Sequence, residues 1–414
     1  MSRDRINVCV IGGGPAGMMC AGKAAELGAD VTLFEKKNSV GRKLAITGKG
    51  RCNVTNNCDR NTFIENVPTN PRFMYGAYSA FTSEDTMNFF EGLGVKLKTE
   101  RGNRVFPISD RSFDIVDALR DYCKSNGVRI VYEKVERLII EDSQVKGVRV
   151  GGKSLFYDKV VVCTGGVSYP QTGSDGDGYR FASEAGINVI SPKASLVPLE
   201  TKEAWPKRLM GLALKNVSVK VYDTVKQSEI YSDFGEMLFT HFGLSGPTIL
   251  SASCHMKPMV SDRYKIIIDL KPALDEKTLD KRLLSDFEKS KNKNFINSLS
   301  DLLPQKLIPI FVELTKIPED RKVNCITKQE RQIILKTLKG LECTVSGFRP
   351  IEEAIITSGG IDVKEIDPKS MMSKRIKNLY FAGEVIDVDA YTGGFNLQIA
   401  FSTANLAAIS LLDR

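Results

Sequence analysis

Gly12, Gly14 and Gly17 stand in the spacing G-x-G-x-x-G, and an acid, Glu35, follows about twenty residues on. That pattern suits a dinucleotide. The first glycine allows a tight turn, the second lets a pyrophosphate approach the backbone, the third lets helix pack on sheet, and the acid accepts ribose hydroxyls. A second group lies in residues 46–57, "ITGKGRCNVTNN", which bring glycines, two cations and Cys52 together with little to bury. Such a loop suits a phosphate, a redox thiol, a flat ligand lying on bare backbone, or a surface turn. A third group is "NLYFAGEVIDVDAYTGGFNLQIAFSTANLAA". Here Gly383 and Glu384 follow a strand pattern, and Gly393 and Gly394 open a long run of small residues. A carboxylate at a strand end can hold ribitol hydroxyls, and the amides of Gly394, Phe395 and Asn396 at a helix start can stabilise negative charge.

These groups need strands and helices to position them. "NVCVI" reads as a buried strand, "PAGMMCAGKAAELG" as the helix after the glycine turn, and "DVTLFE" as a second strand ending at Glu35. Residues 159–166, "KVVVCTGG", form another strand pattern that ends in Thr164, Gly165 and Gly166. Segments so distant in sequence line one groove if their strands are parallel and end together. The glycine fingerprint does not separate NAD from FAD. The C-terminal group favours FAD, because a reduced flavin needs negative charge stabilised near its N1 and C2 carbonyl. A P-loop is excluded, since Lys49 is followed by Gly50 rather than Ser or Thr.

Bulk properties narrow the setting. At 414 residues the chain is too long for one core. The charge of +8 is spread among similar numbers of acids and bases, which favours an anionic small ligand or solubility over a nucleic-acid platform. No apolar run reaches the roughly 18 residues of a membrane span. The nine cysteines lack paired CxxC spacing and fit reduced thiols in a cytoplasmic protein, with no metal site.

Seven motifs in order, "IGGGPAG", "GRKLAITGKGRCNVTN", "RVFPISDRS", "CTGGVSYPQTGSDGDGY", "FTHFGLSGP", "ITSGGI" and "FAGEVIDVDAYTGGFNLQIAFSTA", make the whole chain resemble flavoproteins of the YhiN/BaiN type, also described as aminoacetone oxidase family FAD-binding enzymes. The resemblance implies an α/β fold. A Rossmann-like, glutathione-reductase-type FAD domain would be interrupted by a β-barrel-like insert with a helical subdomain. The expected division is 1–192 and 351–414 for the FAD domain and 193–350 for the insert, β-rich over 193–272 and 341–350 and helical over 273–340. Motifs and resemblance together give the expected cofactor contacts. At the first glycine turn and the acid they are Gly12, Gly14, Pro15, Ala16, Gly17, Glu35 and Lys36. Along the loop they are Arg42, Thr47, Gly48, Gly50, Arg51, Cys52 and Asn53. From the middle strands come Val135, Thr164, Gly165 and Gly166, and from the C-terminus Gly383, Glu384, Asp387, Gly393, Gly394, Phe395 and Asn396.

Catalytic candidates are few. Only two histidines exist, and His241 in "FTHFGLSGP" is the one whose loop, in the insert, suits a proton donor. Tyr391 flanks the last glycine pair. So do Asp387 and Asp389, and Tyr169 is similar beside "GGVSYP". Cys52 and Cys58 are separated by five residues, whereas glutathione-reductase-like redox pairs are separated by four, so Cys52 reads as a packed thiol before it reads as half of a disulfide. The insert shows no second G-x-G-x-x-G, so NAD(P)H is a candidate external donor without a domain of its own. The expected activity is hydride transfer between flavin N5 and a small organic substrate, with amine and enone classes both open. An RNA-modifying flavoprotein and a flavin redox sensor stand as alternatives.

Overall fold

An apolar run without alternation has to be covered on both faces, the situation of a parallel strand between helices. In the computed structural model, which describes residues 5–412, Asn7–Ile11 is such a strand (β1), followed by the helix Pro15–Glu26 (α1) and the strand Asp30–Phe34 (β2). β1 lies between β2 and Lys159–Val162, and Leu379–Phe381 and Arg129–Val131 flank these to complete a five-stranded sheet. Every pairing in it is parallel. Ile11 sits beside Phe34 on one side and Val162 on the other, and Val162 sits beside Phe381. Four strands therefore end level. The segments beginning at Gly12, Glu35, Cys163 and Ala382 all leave the sheet along the same edge.

Two glycines set how closely α1 crosses that edge. A Cβ at Gly17 would stand 1.8 Å from the Gly12 carbonyl oxygen. Gly12 itself has φ +104°, and its Cβ would stand 2.5 Å from the Cys163 carbonyl oxygen. Against α1 packs the C-terminal helix Phe395–Ser410. Twelve of its sixteen residues are buried, which is why the sequence there is small and apolar with no charged face.

Three smaller sheets complete this unit: Thr55–Asn56 with Arg104–Pro107 and Leu97–Glu100, the meander Val135–Glu141, Gln144–Val150 and Lys153–Phe156, and the pair Val189–Ser195 with Ile356–Ile361. In the last pair Ser195 is the antiparallel partner of Ile356. The chain thus leaves the unit after Ser195 and comes back at Pro350 through neighbouring strands.

Leu196–Arg349 forms the second compact unit. Six strands close into a barrel in the order Leu199–Thr201, Gly243–Ser245, Ser228–Phe239, Ala213–Asp223, Tyr264–Asp269, Leu341–Phe348. Alternate residues fill it, among them Val217, Val219, Val221, Ile266, Ile268, Cys343 and Val345, as the period of two in these strands requires. Asp223, buried at the end of its strand, accepts from Arg263 through both oxygens at 3.0 and 2.7 Å, and that guanidinium holds its carboxyl down at about 2. Between the last two barrel strands the chain forms the helices Glu276–Lys289, Ile308–Thr315 and Lys328–Lys339. Asp275 caps the first of them at Thr278 N, 2.6 Å, and Thr327 and Glu330 make a reciprocal capping box on the third. Within the apolar segment "QKLIPIFVELTKI" only Ile308–Thr315 is helical. Pro309 enters in the first turn, and Lys316, at φ +57°, ends it.

The Gly17 clearance gives a direct test. Gly17→Val is expected to lower stability by about 3 kcal/mol or more, since the atoms it meets are main chain and cannot swing away. A thermal midpoint equal to that of the unaltered protein would show that the crossing relaxes.

Candidate functional site

At the first strand-to-helix turn, Gly14 is the residue before α1. No side chain caps this helix start, no acid lies in its first turn, and a Cβ at Gly14 would meet nothing within 4 Å. Backbone N–H groups and the positive end of the helix dipole thus face open space, the environment an anion occupies. Pro15 and Ala16 form the first turn itself. Glu35 is held over the same turn: Oε2 accepts from Gly13 N and Oε1 from Lys37 N, both at 2.8 Å. Each oxygen retains a lone pair for a hydroxyl donor. Lys36 is committed elsewhere, paired with Asp175 and, at 2.8 Å, with Asp177. Val135 is buried at the start of the meander.

The next stretch of edge is built by residues 42–53. Arg42 is exposed and donates to Asn38 at 3.0 Å. Its neighbour Lys43 turns inward instead, donating to Glu384 at 2.7 and 3.0 Å and to Ser168 Oγ at 2.6 Å. Glu384 also accepts from Thr357 N at 3.0 Å and from Ser168 Oγ at 3.2 Å. Thr47 Oγ1 donates to the Leu44 carbonyl. Gly48, Lys49, Gly50 and Cys52 all have positive φ, so this loop is wound in a sense that side chains resist.

Arg51, expected to contact the cofactor, has its charge met by protein. It donates to Glu100 at 2.5 Å and to Asp110 at 2.6 Å, and lies 4.2 Å over the Phe106 ring. These contacts tie the loop to Glu100 and Asp110. Cys52 is fully buried, and desolvation pushes its thiol up to about 12 even though the nearby Thr47 side chain acts the other way. Cys58 is pushed up to about 11, again chiefly by burial. Neither is a thiolate near neutral pH, and no disulfide forms among the described residues.

Thr164, Gly165 and Gly166 follow the neighbouring strand. A Cβ at Gly166 would stand 2.3 Å from Thr357 Oγ1 and 3.1 Å from Glu384 Oε1, so this turn is pressed against the Glu384 cluster. Thr164 Oγ1 and Asn53 Oδ1 are buried without a protein partner. The Thr164 hydroxyl packs against Gly178, where a Cβ would stand 2.2 Å from it, which leaves Asn53 Oδ1 as the orphan that a polar ligand would satisfy. On the C-terminal side Gly383 has φ +80°, and a Cβ there would stand 2.7 Å from Ala16 Cβ. Asp387 accepts from Gly359 N and Asn70 Nδ2, both at 3.0 Å, and burial raises its carboxyl above the ordinary range. Asp389, fully buried, accepts from Ser195 Oγ at 2.6 Å. Tyr391 N donates to the Asn66 carbonyl.

Gly393 and Gly394, at φ +124° and +102°, start the C-terminal helix without a side-chain cap or an acid in the first turn. Phe395 is buried, and the Asn396 amide is spent on the backbone of Ala390 and Tyr391. All the expected cofactor residues belong to the first unit. His241 lies in the second, exposed, with its ring 4.9 Å from that of Phe242. Tyr169 adopts φ +52° and bonds the Glu352 carbonyl. Lys43, Ser168 and Thr357 went unnoticed in sequence, although each lies in a motif already singled out. In the Arg-Lys pair only the phase of a five-residue helix decides which cation faces inward.

Residues 6–410 match the family described as "HI0933-like protein Rossmann domain". The chain belongs to this family. It is 32% identical to a Haemophilus influenzae protein named ribosomal RNA dihydrouridine synthase, across 99% of both chains. It is 28% identical to the 3-dehydro-bile acid delta(4,6)-reductase of Clostridium scindens, across 98% of both. A 3-ketosteroid delta1-dehydrogenase from Sterolibacterium denitrificans shares the fold at a TM-score of 0.54 and 13% identity over 99% of each chain. The family is one of FAD-dependent oxidoreductases, and this chain is such an enzyme.

Two substitutions probe the site. Glu35→Ala is expected to weaken FAD by about 1.5–3 kcal/mol, the range for hydrogen bonds to a charged group, or roughly 10- to 150-fold in Kd. An unchanged titration would mean that the ribose acid lies elsewhere. Cys52→Ser should keep most turnover, and the two-electron-reduced enzyme should lack a thiolate-to-flavin charge-transfer band. Appearance of that band in the unaltered enzyme would restore the redox-thiol reading.

Proposed function

We propose that this enzyme reduces a carbon–carbon double bond conjugated to a carbonyl. The observation that carries this reading is that two relatives matching nearly the whole chain, with substrates as unlike as an RNA base and a bile acid, are named for the same bond chemistry. Dihydrouridine arises by adding two hydrogens across the 5,6 double bond of uracil, which is conjugated to the C4 carbonyl. A 3-dehydro-delta(4,6) steroid is a dienone.

FAD fits the residues of the first unit. Glu35 and the uncapped start of α1 would hold its adenosine and pyrophosphate, and Glu384, oriented by Lys43, would hold its ribityl chain. The amides of Gly394, Phe395 and Asn396 would face its pyrimidine end. When bound, the flavin supplies the hydride that adds to one carbon of the double bond, with NAD(P)H as the proposed source of electrons. The chain has to orient the carbonyl and deliver a proton to the adjoining carbon. A buried thiol as weakly acidic as Cys52 is poorly suited to that delivery; Tyr391, half-buried before the glycine pair and in the same unit as the expected FAD contacts, is our candidate.

Uracil in ribosomal RNA is the first substrate to test. Besides the named relative, the charge distribution supports it. Leu196–Arg349 holds 25 lysines and arginines against 19 aspartates and glutamates, a net +6 of the total +8. An excess that is diffuse over the whole chain is therefore concentrated in one unit, which favours a polyanion more than the overall composition suggests.

The test is anaerobic incubation of the FAD-loaded enzyme and NADH or NADPH with unmodified large-subunit ribosomal RNA or a steroid enone, followed by mass spectrometry for the gain of two hydrogens. Reduction of a uracil in the RNA is the expected result. Reduction of the enone alone would shift the substrate class and keep the chemistry. If amines were oxidised and neither double bond reduced, the proposal would fail.

A further inference from the structure

Beneath the C-terminal glycine pair lies a group of polar side chains that none of the roles above uses. Thr55, Thr86, Gln398 and Ser402 are all fully buried. Gln398 sits one turn inside the helix Phe395–Ser410, and both halves of its amide are occupied. Its Oε1 accepts from Thr55 Oγ1 at 2.6 Å and from Thr86 Oγ1 at 2.8 Å. Its Nε2 donates to the Phe81 carbonyl at 3.0 Å and to Ser402 Oγ at 2.9 Å. Ser402 Oγ in turn donates to the Phe81 carbonyl at 2.6 Å. The Thr86 hydroxyl also has the Thr82 carbonyl at 3.1 Å, so it is shared between two acceptors.

Apolar residues of the same size would fill this space at least as stably, because burying polar groups costs desolvation that hydrogen bonds only offset. What a satisfied polar network adds is a single allowed arrangement. That arrangement fixes the start of the helix. The strand Thr55–Asn56 is held by Gln398 through Thr55, while Asn56 Nδ2 donates to the Gly393 carbonyl at 3.0 Å. A Cβ at Gly394 would stand 2.3 Å from the Thr55 carbonyl oxygen. The same strand directly follows the left-handed loop that ends at Cys52 and Asn53. One buried amide therefore ties together the loop, the strand and the amides of Gly394, Phe395 and Asn396.

We propose that Gln398 is a positioning residue for the flavin's redox potential: through Thr55 and Thr86 it fixes the helix start whose positive end stabilises the negative charge of the reduced cofactor. The inference rests on the orientation of FAD proposed above. A helix dipole acts only within about its first turn, so a small displacement of this end weakens the reduced form more than the oxidised one.

The test is redox potentiometry of the FAD-loaded enzyme together with the affinities for oxidised and reduced FAD. Gln398→Leu is expected to weaken reduced FAD about tenfold relative to oxidised, which lowers the two-electron midpoint potential by about 30 mV. Thr86→Val, which removes one hydroxyl of the network without altering the helix itself, should shift it the same way, and Thr86→Ser should restore it. Equal loss of affinity for both redox forms, or a lower thermal midpoint at unchanged potential, would assign the network a structural role only and overturn the proposal. If Gln398→Leu does not fold, Thr86→Val decides on the same criterion. The potential is read without substrate, so failure of the double-bond assay leaves this result standing, and the reverse holds too.

Discussion

A gap too small for one methyl group, between Gly17 and the carbonyl of Gly12, governs the edge along which the parallel strands end. Because α1 lies that close to the turn after β1, its start sits at the end of that strand. Glu35 can then reach back to Gly13, and the Cys163 carbonyl can pass beside Gly12. The level ends of the four parallel strands do the rest, since they deliver segments from residues 12, 35, 163 and 382 to one line without any contact between those segments being required to bring them there.

Much of this was legible because it is local. "NVCVI" and "KVVVCTGG" are short, apolar and followed by glycine, and a strand buried on both faces has few other ways to appear in sequence. The barrel was legible as a set of extended segments but not as an order of pairing. Its closure joins Leu199–Thr201 to Leu341–Phe348, well over a hundred positions apart, and nothing in either segment names the other. The cations were hardest to read. Arg42, Lys43 and Arg51 differ little in type or setting along the chain. Their environments diverge through partners such as Asn38, Glu384, Glu100 and Asp110, of which only Asn38 is near in sequence.

The thiols carry a related lesson. Cysteines lie in or beside several motifs, at positions 9, 52, 58 and 163, and proximity to glycine turns makes them look reactive. Burial drives each of these four toward the protonated form. Small size and apolar character suffice to explain them where α1, the sheet and the loop crowd together. The chemistry then falls to the cofactor, with the chain supplying rigid donors and acceptors.

Ser195 and Ile356 stand side by side in antiparallel strands, at the point where the chain departs for the barrel unit and the point where it rejoins. A graft there has to bridge only the spacing of one strand pair, so replacing the barrel unit need not disturb the five-stranded sheet. Such an exchange would involve a single contiguous stretch of gene.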